Sequence, residues 1–383
     1  MENKKYFCYE IYKNLAIWST NGKLSYSPCS YYDGYIKTSD SFNLEDIWNS
    51  PEHIQLKQMI DNDQPIPGCS RCYLEEKNEL VSRRMGAKTL YETYFQDTDI
   101  NVDGPQSIDY SVGNLCNLKC IICGPFNSSA WVSDYQTIFP IKNIDVFKHD
   151  KNKQLQITDY KLLKNIKNLH IHGGGEPLLS NNHIELLKKI KSIKGLGDLH
   201  VHYNINGTKR VSKDVLDLWG ECQLVELYFS IDDVNKRFNY QRTGANWDEV
   251  VENLFWYREN MPVNHMFKIN CTWGYLNLFY LDELFNWYTE NFRTNRLGDP
   301  IELIFQKVID IDFKLSIDAV STSLKTTLIE KFKNYPRLLE LVYTLKEDND
   351  ETHKEFWDSI HKIDSVRDVK FQDVCPDLAS LLS

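Results

Sequence analysis

The chain has 383 residues, of which 42% are apolar, and its formal net charge is −10 at neutral pH. This length is enough for one large barrel or for two to three domains with a sizeable core. Acidic and basic residues are mixed without a basic stripe, so nucleic acid is not expected as a partner. The start of the chain lacks the pattern of a signal peptide, and no stretch reaches about 18 consecutive apolar residues. We therefore expect a soluble cytoplasmic protein without a membrane partner.

The N-terminal segment predicts a hairpin followed by helices. The strands "LAIWST" and "KLSYSP" flank an Asn-Gly pair at 21–22, the strongest short signal for a hairpin turn. The stretch 41–63 then has helical spacing of apolar residues, and "QPIPG" ends it. The pair Cys69-x-x-Cys72 opens a further helix over about 70–85.

Ten cysteines require an explanation other than disulfides, because the cytosol keeps thiols reduced. The N-terminal group could hold zinc or cap a four-iron cluster, and spacing alone does not separate these metals; its members are Cys8, Cys29, Cys69 and Cys72. A second group follows at Cys116, Cys120 and Cys123. The remaining three are isolated and are expected to be small core residues; they are Cys222, Cys271 and Cys375.

From about residue 105 onward, short apolar strands alternate with helices. The six candidate strands are "QSIDYSVG", "NLHIHGG", "LHVHYNING", "LVELYFSID", "HMFKINCTW" and "IELIFQKV". This alternation predicts an α/β fold with a parallel sheet, arranged as a partial barrel whose reactive groups follow the carboxyl ends of the strands. The tail from about 320 reads as helices that pack around this core.

The second cysteine group lies after the first of these strands, and "GGGEP" at 173–177 follows the second. Three thiolates within eight positions can hold a four-iron cluster and leave one iron open for a substrate. A structural zinc site would normally require the missing fourth ligand.

The run "CNLKCIIC" with Cys116, Cys120 and Cys123, followed by "GGEP", resembles the radical S-adenosylmethionine (SAM) superfamily over about 108–310. The resemblance implies a partial (β/α)6 barrel over 105–320 and a 4Fe-4S cluster whose open iron chelates the methionine moiety of SAM. It implies reductive cleavage to a 5′-deoxyadenosyl radical that abstracts hydrogen from a substrate, and an electron donor such as flavodoxin or ferredoxin.

The same resemblance assigns further residues to the cofactor. Gly174 and Gly175 would approach the methionine amino group, with Glu176 and Pro177 completing the motif, because glycine projects nothing from its Cα. Four strand-end residues resemble positions that line the ribose or carboxylate, although each is also an ordinary polar strand end; they are Asn206, Ser230, Arg242 and Asn270. We expect Asp232 either to contact substrate in a catalytic role or to cap the next element.

The N-terminal segment resembles the SPASM/twitch module, which holds an auxiliary iron-sulfur cluster and here precedes the barrel. The resemblance implies a small α+β cluster-binding domain over 1–100 and a second 4Fe-4S cluster on the N-terminal group, with Cys8 alternatively a free thiol. Residues 321–383 would form a helical extension on the barrel.

These features favour an enzyme of the oxidoreductase or peptide-modifying type that acts on a peptide or protein side chain. The auxiliary cluster would accept an electron or anchor the substrate. A small molecule or nucleoside is the alternative substrate. A non-enzymatic iron-sulfur or zinc scaffold would explain the cysteines but not an open three-thiolate site followed by "GGEP".

Overall fold

A computed structural model describes residues 4–20, 23–39, 42–77, 81–111, 113–141, 144–147, 157–159, 161–172, 174–347 and 351–382. The predicted turn at 21–22 lies outside the described residues. Among the described residues, no helix is both long and apolar enough to cross a membrane.

The strands, in chain order, are β1 (Asn14–Thr20), β2 (Lys23–Ser27), β3 (Lys37–Ser39), β4 (Phe42–Asn43), β5 (Ser107–Tyr110), β6 (Lys119–Cys120), β7 (Ile157–Asp159), β8 (Asn168–Ile171), β9 (His200–Ile205), β10 (Leu224–Ser230), β11 (Arg242–Thr243), β12 (His265–Trp273), β13 (Glu302–Lys307), β14 (Ala319–Val320) and β15 (Lys346–Glu347). All six strands predicted after residue 105 are present, as β5, β8, β9, β10, β12 and β13.

The α-helices are α1 (Tyr9–Lys13), α2 (Leu44–Trp48), α3 (Pro51–Asp61), α4 (Ser70–Lys77), α5 (Arg83–Thr89), α6 (Val132–Ile138), α7 (Asn182–Lys194), α8 (Lys213–Gly220), α9 (Asn235–Gln241), α10 (Trp247–Asn260), α11 (Leu281–Asn291), α12 (Thr322–Lys331), α13 (Pro336–Tyr343), α14 (Glu351–Asp364), α15 (Phe371–Val374) and α16 (Pro376–Leu381). Short 3-10 turns lie at Pro67–Cys69, Ser129–Trp131, Ile144–Phe147, Lys161–Asn165, Pro177–Leu179 and Leu278–Tyr280, and one π turn at Leu90–Tyr94.

The chain divides into two compact units. Unit 1 comprises Met1–Asn114, His149–Tyr203 and Lys213–Val225, and unit 2 comprises Leu115–Lys148, Asn204–Ser212 and Glu226–Ser383. In unit 1 the strand order is β9-β8-β5-β1-β2-β3, and β9, β8, β5 and β1 are parallel. In unit 2 the order is β13-β12-β10, with β12 and β13 parallel. Parallel strands that alternate with helices confirm the predicted α/β fold class.

The N-terminal hairpin extends the main sheet of unit 1. β1 pairs with β2 antiparallel on one side and with β5 parallel on the other, so that Leu15 stands opposite Ile108. The sheet therefore runs continuously past the expected domain boundary near residue 100, and the proposed boundaries at 100, 105 and 321 stay predictions. The helical tail lies in unit 2, where Arg337 Nη2 donates to the carbonyl oxygen of Leu303 in β13 at 2.7 Å.

The helical pattern at 41–63 forms two helices instead of one. Ser50 caps α3, its side chain accepting from the N–H of His53 at 3.2 Å, and Pro51 occupies the first turn. Proline has no N–H to continue a preceding helix and suits a helix start, so α2 ends at Trp48. The predicted Cys-x-x-Cys pair spans the start of α4, because Cys69 ends a 3-10 turn and Cys72 lies in the first turn of the helix.

The two faces of the parallel strands in unit 1 differ in polarity. Leu15, Ile108, Leu169 and Val201 are fully buried on one face. Successive side chains of a strand point to opposite faces, so the intervening residues share the other face. We call this the polar face of unit 1; it carries Asn14, Asp109, Asn168, His170 and His202.

A buried lysine anchors the end of α1. The Lys13 side chain is 0% exposed, and its Nζ lies 2.9 Å from Asp97 Oδ1 and 2.9 Å from Gln106 Oε1. Lys167 Nζ lies 2.6 Å from the other oxygen of Asp97. Burial raises the pKa of Asp97, but the hydrogen bonds from Lys167 and Lys13 outweigh it and hold that pKa well below its usual value.

Replacing Asp97 with Ala should leave Lys13 buried without its counter-ion and lower the free energy of unfolding by about 3–5 kcal/mol. The exposed Asp103→Ala change is the matched control and should cost little. Because the pKa of Asp97 is lower in the folded chain, its contribution is present above about pH 4 and is lost as the pH falls further. Urea unfolding at several pH values measures both effects, and equal midpoints for the two variants would contradict this account.

Candidate cluster and cofactor site

The loop that carries Cys116, Cys120 and Cys123 is shaped by a two-stranded ribbon in unit 2. In this ribbon β6 pairs antiparallel with β11, and Cys120 stands opposite Arg242. A turn follows, in which the N–H of Cys123 donates to the carbonyl oxygen of Cys120 at 2.9 Å. The N–H of Leu118 donates to the Cys116 sulfur at 3.4 Å. Backbone hydrogen bonds therefore fix the positions of the three cysteines.

Residues after the loop and in the C-terminal segment hold it in place. The buried Trp131 donates from Nε1 to the carbonyl oxygen of Cys120 at 2.8 Å. Arg367 lies over the Trp131 ring and donates from Nη2 to the carbonyl oxygen of Lys119 at 3.1 Å. Asp134 accepts from both Arg367 and Lys119. The C-terminal segment is therefore part of the support of the cysteine loop.

A buried ion pair stands behind Cys120. Arg242 donates from Nη1 to the Cys120 sulfur at 3.7 Å, and its Nη2 lies 2.7 Å from Asp232 Oδ2. The other oxygen of Asp232 accepts from the N–H of Thr272 at 2.8 Å. Burial raises the pKa of Asp232, and Arg242 opposes that rise. Asp232 thus orients the guanidinium that contacts the cysteine sulfur.

Burial favours the neutral thiol form of Cys120 and Cys123. Burial raises the pKa of Cys123 to about 11, with a further contribution from Cys116. Burial also raises the pKa of Cys120, although Arg242 opposes the rise. Metal binding must therefore displace protons from thiols that already converge, which is how soft metal sites form.

Asn206 connects the end of β9 to the cysteine loop. Its Nδ2 donates to Asn117 Oδ1 at 3.1 Å and lies 4.0 Å from the Cys116 sulfur. Its Oδ1 accepts from the N–H and the hydroxyl of Thr208 at 2.9 and 2.7 Å. The described contacts of Asn206 therefore fix the turn against the loop.

Several buried polar atoms of unit 2 have no hydrogen-bond partner in the described chain. Two of them, Arg242 Nε and Asn270 Oδ1, belong to residues that the sequence assigns to the cofactor. Ser230 ends β10 beside Asn270, because the N–H of Ile231 donates to the carbonyl oxygen of Asn270 at 3.0 Å. A buried donor and a buried acceptor without partners are costly unless a ligand satisfies them. Arg242 Nε and Asn270 Oδ1 are therefore available to a ligand.

The "GGEP" motif of unit 1 forms a tight turn after β8. Gly174 and Gly175 have φ of +81° and +72°, the left-handed region that side chains disfavour. A Cβ on Gly174 would lie 2.8 Å from the carbonyl oxygen of Gly113. The Glu176 side chain accepts from the N–H of Leu178 at 3.2 Å and caps the 3-10 turn that begins at Pro177. The two glycines expose backbone, while Glu176 shapes the turn.

The four N-terminal cysteines converge on one cavity in unit 1, which they line together with Glu10 and Arg83. Burial raises the pKa of Cys8, and Cys69 and Cys72 raise it further. Burial raises the pKa of Cys69 to about 12, again with a contribution from Cys72. The thiols therefore influence one another electrostatically within one cavity.

Sequence reasoning missed a polar cluster next to this cavity. Arg83 Nη2 lies 2.6 Å from Asp109 Oδ2 and 3.2 Å from Glu10 Oε2. The other oxygen of Asp109 faces His170 of β8 and His172, which directly follows that strand. The strings "NLHIHGG" and "LHVHYN" contain the signal, because histidine at every second position of a strand populates one face.

The three-cysteine loop follows β5 in the chain, and the glycine turn follows β8. Residues 110–286 match the family model of the Radical SAM superfamily. The match covers less than half of the chain and lies within the segment, about 108–310, whose sequence resembles that superfamily.

Similar proteins include a GTP 3′,8-cyclase from Alkaliphilus metalliredigens (strain QYMF), 24% identical over 210 residues, which is 54% of this chain and 58% of that protein. The chain thus spans less than two thirds of this relative. Among solved structures, anSMEcpe with bound AdoMet has a TM-score of 0.40 and 15% identity over 63% of this chain and 60% of that chain. Streptococcus suis SuiB has a TM-score of 0.37 and 14% identity over 94% and 76% of the two chains.

Gly174 and Gly195 have nearly the same φ, so replacing each with Ala compares backbone strain with steric crowding at the "GGEP" turn. Gly195 has φ of +82° and ψ of −179° and open space where a Cβ would stand, so Gly195→Ala should cost only backbone strain, about 1–3 kcal/mol. Gly174→Ala adds a backbone contact at 2.8 Å and should cost at least about 1 kcal/mol more. Urea midpoints measure both variants, and an equal loss would mean that the turn tolerates a side chain.

Proposed function

We propose that this chain is a radical SAM enzyme that reductively cleaves SAM and abstracts hydrogen from a peptide or protein side chain. The observation that carries this proposal is the loop in which Cys116, Cys120 and Cys123 converge, with Arg242 on the Cys120 sulfur, inside a segment that matches the Radical SAM superfamily model. The proposed cofactors are SAM and two 4Fe-4S clusters.

The donor set suits iron and sulfide. Three thiolates in one loop leave the fourth iron of a cubane for a non-protein ligand. When bound, the cluster would deliver an electron to SAM, which yields the 5′-deoxyadenosyl radical. The Arg242 guanidinium, oriented by Asp232, donates to the Cys120 sulfur and stabilises negative charge there. We therefore assign Asp232 to positioning Arg242 instead of to contacting substrate.

The residues proposed for SAM offer complementary groups. Gly174 and Gly175 provide backbone that a ligand can approach, because neither carries a Cβ. In unit 2, Arg242 Nε can donate to a carboxylate and Asn270 Oδ1 can accept from a hydroxyl or amine. Ser230 lies at the same strand edge as Asn270.

The N-terminal cavity supports an auxiliary cluster. Its four thiols can ligate all four irons of a cubane, so that no iron is left open. Arg83 in the same cavity opposes the effect of burial on the pKa of Cys29 and so favours its thiolate. We propose that this cluster accepts an electron from the substrate radical or anchors the substrate, as in a SPASM/twitch module. A structural zinc ion on the same thiols is the competing assignment.

A peptide substrate and an electron donor such as flavodoxin or ferredoxin complete the proposal, with the reaction in the cytoplasm. A nucleotide is the second candidate substrate, favoured by the 24% identity to a GTP 3′,8-cyclase over 54% of this chain. The net charge of −10 works against a polyanionic substrate. Mass spectrometry of anaerobic reactions with genome-neighbour peptides or with GTP separates the two.

Replacing Cys116, Cys120 and Cys123 together with Ala should abolish reductive formation of 5′-deoxyadenosine and lower the iron content from about eight to about four per chain, because one cubane persists without the other. Anaerobic reconstitution, iron analysis and chromatography of the products provide the measurement.

Cys222→Ala is the matched control for that experiment, because Cys222 is a buried thiol that donates to the carbonyl oxygen of Leu218. It should keep both the iron content and the product. Deoxyadenosine at the parent rate in the triple variant would reject the assignment of the reactive cluster.

Replacing Cys69 and Cys72 together with Ala should remove the auxiliary cluster and leave about four irons per chain. Much of the uncoupled SAM cleavage should survive, because its electron enters the other cluster, whereas substrate modification should fail. Zinc with no iron in the triple variant at 116, 120 and 123, lost when Cys69 and Cys72 are also replaced, would instead identify the N-terminal site as structural zinc.

A further inference from the structure

We infer that Asp109, His170 and His172 form a zinc site on the polar face of unit 1. This site uses none of the cysteines and none of the residues proposed for SAM, so it stands independently of the proposed function.

Strand pairing brings the three side chains together. Asp109 of β5 and His170 of β8 are direct partners in the parallel sheet. The N–H of His172 donates to the carbonyl oxygen of Tyr110 at 3.1 Å, which continues the pairing and places His172 on the same face as His170. One ligand atom from each of the three side chains lies within 4.8 Å of the others.

The Asp109 carboxylate is fixed through one oxygen and open at the other. Its Oδ2 accepts from Arg83 Nη2 at 2.6 Å, from Asn14 Nδ2 at 3.3 Å and from the N–H of Ser30 at 3.2 Å. Its Oδ1 has no hydrogen-bond partner among the described residues, although Asp109 is 2% exposed. Outer partners that orient a carboxylate in this way are typical of metal ligands.

The open oxygen is directed at the two imidazoles. Asp109 Oδ1 lies 3.4 Å from His170 Nδ1 and 3.7 Å from His172 Nε2. Both distances exceed the roughly 2.7–3.2 Å of an N–H···O hydrogen bond. The buried His172 Nε2 also lacks a partner, and the Trp18 ring holds the His172 ring edge-on at 5.8 Å. The three atoms are therefore spaced for an intervening ion better than for direct hydrogen bonds.

The spacing and donor types select zinc. Zinc bonds of about 2.0–2.2 Å to nitrogen and oxygen, arranged as a tetrahedron, separate neighbouring ligand atoms by about 3.3–3.5 Å. Two imidazoles and one carboxylate supply three ligands and leave the fourth position for water or a substrate oxygen.

Equilibrium dialysis against zinc sulfate, after anaerobic reconstitution with iron and sulfide, tests the site. The parent protein should bind about one zinc per chain beyond any iron. His172→Ala and Asp109→Asn should each weaken binding by more than the roughly 10- to 100-fold that loss of an outer partner costs. Asn14→Ala removes an outer partner of Asp109 and should weaken zinc binding by only about 10- to 100-fold. The exposed His361→Ala should leave binding unchanged.

Zinc-edge X-ray absorption then identifies the ligands. The proposal expects nitrogen and oxygen neighbours at about 2.0 Å and no sulfur at about 2.3 Å. Sulfur neighbours, no bound zinc, or parental affinity in His172→Ala would overturn it. Iron content and urea midpoint are measured for every variant. Since the His172 side chain is partly exposed, its replacement tests the site even where Asp109→Asn does not fold.

Discussion

The buried pair of Arg242 and Asp232 is the interaction on which the cysteine loop depends. Two opposite charges can remain in an apolar interior only if they satisfy each other, and losing one partner leaves an uncompensated charge. The Asp232 carboxylate accepts hydrogen bonds from Arg242 and from the N–H of Thr272. Arg242 also donates to the Cys120 sulfur. The β12 backbone thus fixes a cation at the loop through one carboxylate.

The second constraint is the two-residue repeat of the parallel strands. One face of β1, β5, β8 and β9 is apolar and fully buried, so the other face can carry polar and titratable side chains. This division explains how one strand, β8, can contribute both Leu169 to the core and His170 to a polar cluster. The same strand then leads into the turn at Gly174, which offers backbone groups because glycine has no side chain.

Elements set by local pattern were predictable, and contacts between distant segments were not. The six strands and the motif cysteines follow from periodicity and spacing. The break at Ser50 and Pro51 was missed because helical spacing continues across it, although the proline itself gave the signal. The pairing of Asp109 with Arg83 could not be predicted, because it joins segments 26 residues apart whose meeting depends on the tertiary fold.

Arg83 connects the N-terminal cysteine cavity to the polar face of unit 1. It lines that cavity, and it also contacts Glu10 and Asp109. Burial and Asp109 raise the pKa of Glu10 to about 7 despite Arg83, whereas Arg83 outweighs burial and holds the pKa of Asp109 well below its usual value. The Arg83 guanidinium thus contacts one carboxylate at the cysteine cavity, Glu10, and one on the polar face, Asp109. Because electrostatic effects are strong in an interior of low dielectric, a change of charge at the cysteines alters the field at Asp109.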